Sequence, residues 1–158
     1  MLDALLPSQD QLEMAGQILL ALLLGGIIGF ERERSNKPAG LRTHMLVAAG
    51  TTAFTLASVY GFGAMSSGDP SRVAAQIVSG IGFLGVGTIF RSGSEVRGLT
   101  TAASVWLVAA LGMLVGIRMY WLAVFTTLVS WLVLRVLHAT HVRRWIGRYQ
   151  EPSQEEDE

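Results

Sequence analysis

The chain has 158 residues, 51% of them hydrophobic, with 18 glycines, no cysteine and a formal net charge of zero. That length suits one compact domain, and so much apolar sequence exceeds what a water-soluble domain of this size ordinarily uses. Disulfides, thiol nucleophiles and thiolate metal sites are excluded by the missing cysteine, and the balanced charge gives no reason to expect a nucleic-acid partner.

Five stretches, 14–30, 45–62, 73–90, 99–116 and 119–137, are apolar enough to cross a hydrocarbon core that needs about 17–25 residues per helix. The predicted fold is therefore all-α, a polytopic membrane protein of five transmembrane helices. All five are near the short end of the range, so neighbours rather than length hold them in place. Lys and Arg are unevenly placed. Arg32, Arg34, Lys37 and Arg42 lie in the first loop, Arg91 and Arg97 in the third, and Arg135, Arg143, Arg144 and Arg148 beyond the fifth helix. Only Arg72 and Arg118 fall on the other side, which predicts an external N-terminus and a cytoplasmic C-terminus. The expected organisation is an external lead over 1–13, a transmembrane domain over 14–138 and a basic then acidic tail over 139–158.

In chain order, the lead is acidic, with Asp3, Asp10 and Glu13, and its lack of a basic region argues against a cleaved signal peptide. Pro7 and Ser8 open a turn before the first helix, in which Gly25 and Gly29 form the Gly-x-x-x-Gly spacing that lets two helices touch. The first loop, Glu31-Arg32-Glu33-Arg34 through Arg42 to His44, is the densest polar stretch, with a turn at Pro38 and Gly40. One reading makes it a membrane-edge anchor with Glu and Arg pairing along a helical extension. The other has Glu31 partly inside the bundle, paired with Arg42 or an ion.

In the second helix Thr51, Thr55 and Ser58 share a face, a stripe that usually bonds its own backbone or a neighbouring helix. Asp69-Pro70 is a strong start signal for the third, since the cap accepts amide hydrogen bonds and proline lacks only a donor that is unpaired anyway. The stretch 69–106 organises the prediction. Gly80, Gly82, Gly85 and Gly87 would each cost about 1 kcal/mol against alanine in a water-exposed helix. In a bilayer, small residues let backbones approach closely, so this helix is expected to be the central packing element. Arg72 and Gln76 point down the same side, and Gln76 calls for an interhelical partner or a substrate.

Residues 91–97 have the length of a tight turn, and Gly98-Leu99-Thr100-Thr101 restarts the chain into the fourth helix. Trp121 and Trp131 near the two ends of the fifth suit an aromatic belt. His138 and His141 are three apart without a third ligand nearby, so they are read as a solvated face rather than a metal site. The acidic end should be disordered.

A constant offset of 59 residues lays the first helical hairpin over the second, matching Asp10, Gln17, Gly26 and Arg32 to Asp69, Gln76, Gly85 and Arg91. After a one-residue shortening, Gly40, Leu41 and Thr43 match Gly98, Leu99 and Thr101. Two hairpins in one orientation imply a pseudo-twofold axis along the membrane normal. The repeat suggests that Gln17 and Gln76 face each other across that axis, with Glu13 and Arg72 above them.

Ordered blocks over roughly 20–122, namely Ile28-Gly-Phe-Glu31-Arg-Glu-Arg, Lys37-Pro-Ala-Gly-Leu-Arg-Thr-His44, 69–85 and 96–106, give a sequence that resembles the MgtC/SapB family of bacterial membrane proteins, YhiD-type proteins included. The resemblance implies a multi-pass inner-membrane protein linked to magnesium limitation, acid stress or survival in host cells. It further implies a regulatory mode through membrane complexes such as the proton-translocating ATP synthase. It also carries Glu31, Arg32, Glu33, Arg42, Asp69, Arg72, Gln76, Thr100 and Thr101 as polar candidates, since these lie in the matching blocks. Longer members carry a soluble domain resembling ACT modules, whereas this chain runs into a short tail.

The leading expectation is thus an interaction protein in the lipid bilayer, forming a homo-oligomer or binding a larger membrane complex through its glycine faces. The alternative is a small magnesium or proton transporter using Glu31, Asp69, Arg72 and Gln76, although the span centres lack Asp, Glu, Lys and Arg. No catalytic residues, metal ligands or cofactor are expected, because no nucleophile, base and orienting group share a motif spacing.

Overall fold

A computed structural model describes residues 7–62, 69 and 71–136. The elements are α1 (Gln9–Arg34), α2 (Leu41–Leu56) running into a π-helical segment (Ala57–Phe62), α3 (Ser71–Val86), β1 (Phe90–Ser92), β2 (Glu95–Arg97), α4 (Leu99–Gly116) and α5 (Tyr120–Val136). Pro70 and the expected tail with His138 and His141 lie outside the described residues.

The helix boundaries follow local chemistry. A capping box starts α1: the Ser8 hydroxyl accepts from the Gln11 amide at 3.3 Å while the Gln11 side-chain oxygen accepts from the Ser8 amide at 2.9 Å. At its other end Asn36 turns left-handed (φ 52°), and the amides of Asn36 and Lys37 donate back to Glu33 and Arg32 oxygens. The same arrangement closes α4, with Arg118 at φ 64° and Met119 donating to Leu114. Asp69 starts α3 as expected, its carboxylate accepting from the Ser71 amide at 2.8 Å and from the Ser71 hydroxyl at 2.7 Å.

The predicted tight turn at 91–97 is an antiparallel two-stranded hairpin pairing Phe90 with Arg97 and Ser92 with Glu95. The two-residue loop Gly93-Ser94 permits it, because Gly93 supplies positive φ (62°) at the first loop position. Gly98 then enters α4 at φ 94° against the Thr88 carbonyl, where a side chain would collide with backbone. At 26 and 18 residues, α1 and α4 are long and apolar enough to cross a membrane, whereas α3 and α5 are shorter apolar helices.

The core is built on α2, which lies between α1 and α4. Ala21, Leu24 and Ile28 of α1, Ala48 of α2, Val108, Leu111 and Val115 of α4 and Ala123 of α5 form it. Glycines set the spacing on both sides of α2. A methyl group on Gly25 would lie 2.8 Å from Ala48 Cβ and from His44 O, and one on Gly29 would lie 2.8 Å from Leu41 Cα. Across the other face, Gly112 meets Ala48 and Thr51, and a methyl on Gly116 would lie 2.7 Å from Thr55 Cβ.

This corrects the expectation that α3 is the central packing element. Only Ile77 and Gly85 of α3 are buried, Gly85 facing Ala102 of α4. Gly80 and Gly82 have nothing of the chain within 4 Å of an added methyl, and Gly87 approaches only the carbonyls of its own preceding turn. The reason is geometric: α3 leans on α4 by one edge, so most of the stripe lies on its open side.

Candidate functional site: a buried polar cluster joining α1, α2 and α4

The last turns of α1 bring Glu31 and Arg32 inside, at 8% and 1% exposure. Arg32 Nε donates to Glu31 Oε2 at 2.5 Å and Nη2 pairs with the same oxygen, while the Ser35 hydroxyl donates to Glu31 Oε1 at 2.9 Å. Burial of Glu31 agrees with one expectation, but its partner is Arg32 rather than Arg42, which is exposed. Beyond that ion pair, the buried Arg32 Nη2 has no hydrogen-bond partner.

Glu33, on the outer side, accepts from the Leu41 amide at 2.7 Å and so caps α2 with a carboxylate. One turn further, His44 is fully buried, with Nδ1 2.8 Å from Gly40 O and Nε2 3.0 Å from Ser104 Oγ of α4. Ser104 Oγ also lies 2.8 Å from Thr101 O. Deeper in α2 the threonines bond backbone: Thr51 to Val47 O, Thr55 to Thr51 O, and Thr52 to Ala48 O with Gly112 O at the same 2.9 Å. Thr51 and Thr55 of the predicted stripe thus bond their own helix, as their spacing predicts.

Two cavities border this framework. One, of about 410 Å³, lies between the α1–α2 loop, the start of α4 and the last turns of α5; Arg32, Lys37, Gly98, Thr100 and Thr101 give it its polar side, Val133 and Leu134 its apolar one. The other is an apolar groove of about 530 Å³ between α2 and α3, where Gln76 and Gly80 sit among Val47, Phe54, Ile81 and Leu84.

The polar candidates therefore divide. Glu31, Arg32, Glu33, Thr100 and Thr101 gather at one end of the bundle, while Asp69, Arg72 and Gln76 belong to the start of α3, with Gln76 on the groove beside α2. Gln17 and Gln76 do not face each other. Gln17 is buried and its amide donates to Val115 O at 2.7 Å, with Gly116 O at 3.3 Å, whereas Gln76 is exposed. Glu13 pairs with Arg118 at 3.1 Å rather than standing over Arg72, and Arg118 also covers the Tyr60 ring at 5.6 Å. Among the described residues no three His, Asp or Glu side chains converge as a metal site requires.

Sequence reasoning missed Gly112 and Gly116, although their four-residue spacing repeats that of Gly25 and Gly29. It also missed the His44–Ser104 link, for which no local signal exists.

A bundle closed by glycine contacts, with charged side chains paired at its end, has two helices long and apolar enough to cross lipid, as a helical membrane protein requires. The chain belongs to the MgtC family, whose model matches residues 18–143. It is 44% identical over 127 residues to a protein of Escherichia coli (strain K12) named "Putative magnesium transporter YhiD", covering 77% of this chain and 59% of that one. It is 57% identical over 98 residues to Protein MgtC of Brucella abortus (strain 2308), covering 61% and 39%, and 48% identical over 112 residues to Protein MgtC of Salmonella typhimurium (strain LT2), covering 71% and 47%. The chain thus spans about half the length of the curated relatives it matches. No solved structure matches it.

Proposed function

We propose that the chain is a magnesium-linked protein of the bacterial inner membrane that works by binding other membrane proteins, a second copy of itself included. In this reading all five helices cross the bilayer, with the N-terminus outside and the C-terminus in the cytoplasm. The observation that carries it is the α3 face. Gln76 and Gly80, one turn apart, stand open on the groove beside α2, and Phe83 is 82% exposed. An uncovered amide next to bare helix backbone is costly against acyl chains, and a partner helix would supply both the hydrogen bond and the close packing.

Transport is the second reading, favoured by the name of the Escherichia coli relative. Against it, the buried hydroxyls of α2 are already bonded to backbone and the buried charges of α1 to each other, which supplies no row of free ligands for a cation that gives up its water reluctantly.

The test uses the absence of cysteine. A single Ser79→Cys chain in native membranes should crosslink to itself or to one defined neighbour, and Gly80→Leu should abolish that crosslink. The same protein in liposomes should give no magnesium or proton flux. Flux that depends on the protein and is lost in Gln76→Ala would replace this reading with transport.

A further inference from the structure

We propose that the cavity at the start of α4 binds a phosphate group, with Arg32, Lys37, Thr100 and the first amides of α4 as its ligands.

Three independent features converge there. The first is the helix start itself. No side chain caps α4, so the amides of Leu99, Thr100 and Thr101 lack intrahelical acceptors and add the positive end of an 18-residue helix. The matching end of α2 is occupied by the Glu33 carboxylate, which shows the kind of group such an end accepts.

The second is Arg32. Its side chain is 98% buried, it lines the cavity, and beyond the ion pair with Glu31 its Nη2 has no hydrogen-bond partner, although buried donors are seldom left so. Glu31 balances its charge but approaches through a single oxygen, leaving donor capacity on a planar fork that suits phosphate.

The third is the balance of charge. Lys37 also lines the cavity and forms none of the ion pairs found among the described residues, and no carboxylate is among the lining side chains. The turn that closes α1 holds Lys37 in place, its amide donating to Arg32 O at 3.0 Å. A cavity with one surplus cation, uncapped amides and a buried arginine edge selects an anion, and the Thr100 hydroxyl adds a donor. Val133 and Leu134 of α5 make the remaining wall apolar, which would seat the hydrocarbon of an anionic phospholipid beside its headgroup. A lipid phosphate and free inorganic phosphate share this chemistry, so the test separates them.

The full chain in a zwitterionic detergent is melted with added phosphatidylglycerol, with phosphatidylcholine and with inorganic phosphate, and retained lipid is counted by native mass spectrometry. Phosphatidylglycerol should raise the apparent melting temperature and remain bound while phosphatidylcholine does not, since a ligand of the folded state stabilises it. Stabilisation by inorganic phosphate alone would assign the site to the free anion. In either case Lys37→Ala should weaken the effect by about tenfold or more, as expected for loss of a charged hydrogen bond. Arg42→Ala, which removes a cation outside the cavity, should leave it unchanged. Arg32→Lys tests the fork and should also weaken binding, while Lys37→Ala keeps the test decisive should that buried substitution fail to fold. The proposal is overturned if neither anion stabilises the wild-type chain, or if Arg42→Ala weakens binding as much as Lys37→Ala.

Discussion

His44 Nε2 of α2 lies 3.0 Å from Ser104 Oγ of α4, joining residues 60 apart in sequence inside the bundle. Because Gly40 O can only accept, the ring must donate to it through Nδ1. Nε2 of a neutral ring is then an acceptor, so the single hydroxyl proton of Ser104 goes either to it or to Thr101 O. His44→Ala leaves Gly40 O and Ser104 without a shared partner and should cost about 1–3 kcal/mol of stability. Thermal unfolding of His44→Ala, Ser104→Ala and the double variant checks this: the two effects should fall short of additive by about 0.5 kcal/mol or more, and strict additivity would show that the link carries no energy.

The glycines fall into two groups that substitution should separate. Gly25→Ala and Gly112→Ala push a methyl into the backbone and side chains of α2, and each should destabilise by about 1–3 kcal/mol. Gly80→Ala and Gly82→Ala meet open space in the chain and should leave its unfolding unchanged or strengthen it by up to about 1 kcal/mol through helix propensity. Unfolding in detergent reads the first pair. Crosslinking in membranes reads the second, where a larger Gly80→Leu change is expected to disturb association without disturbing the fold.

Glycine spacing also shows what the sequence could and could not disclose. Gly25 and Gly29 were legible as a contact pair because four-residue spacing places both on one helix face. Gly112 and Gly116 carry the same spacing and became visible only once α2 stood between the two pairs. Density misled at 80–87: four glycines in eight residues mark a helix able to pack, yet nothing local says which side its neighbour occupies. Caps were readable, as Asp69 shows, because an N-cap is a contact over two or three residues. His44 with Ser104, Gln17 with Val115 and Glu13 with Arg118 were not, since each depends on which helices end up adjacent. Burial of Glu31 was half-legible: its place at the helix end was plain, but nothing local says whether Arg32 or Arg42 pairs with it.

Asp69 gives a pH dependence with a definite sign. Hydrogen bonds from the Ser71 hydroxyl and amide hold its exposed carboxyl below the ordinary carboxylate range. A group whose folded value is depressed stabilises the fold above its unfolded value and loses that contribution as pH falls through the folded one. The start of α3 should therefore loosen on acidification below about pH 4, the unfolded carboxylate range, and Asp69→Asn should remove that pH dependence. Amide exchange of residues 71–75 at a series of acidic pH values measures it, and equal pH slopes in wild type and Asp69→Asn would contradict it.

The pair at the end of α1 should be far more sensitive to losing one member than to losing both. Glu31→Gln keeps shape and much of the hydrogen bonding but leaves the Arg32 guanidinium buried at 1% exposure without an opposite charge. Uncompensated buried charge typically costs about 3–5 kcal/mol, because the attraction that offset desolvation is gone while the desolvation remains. Replacing both residues with apolar groups of similar volume removes the two desolvation terms together, so Glu31→Leu with Arg32→Met should cost less than Glu31→Gln alone. The double change also deletes the guanidinium from the α4 cavity, which couples stability to ligand response. Unfolding midpoints of the single and double variants, each measured with and without phosphatidylglycerol, give both quantities at once. The expected pattern is a double variant that folds better than the single one yet gains nothing from the anionic lipid. If the double variant still gains as much as wild type, Arg32 serves Glu31 alone and the cavity holds its anion by other donors.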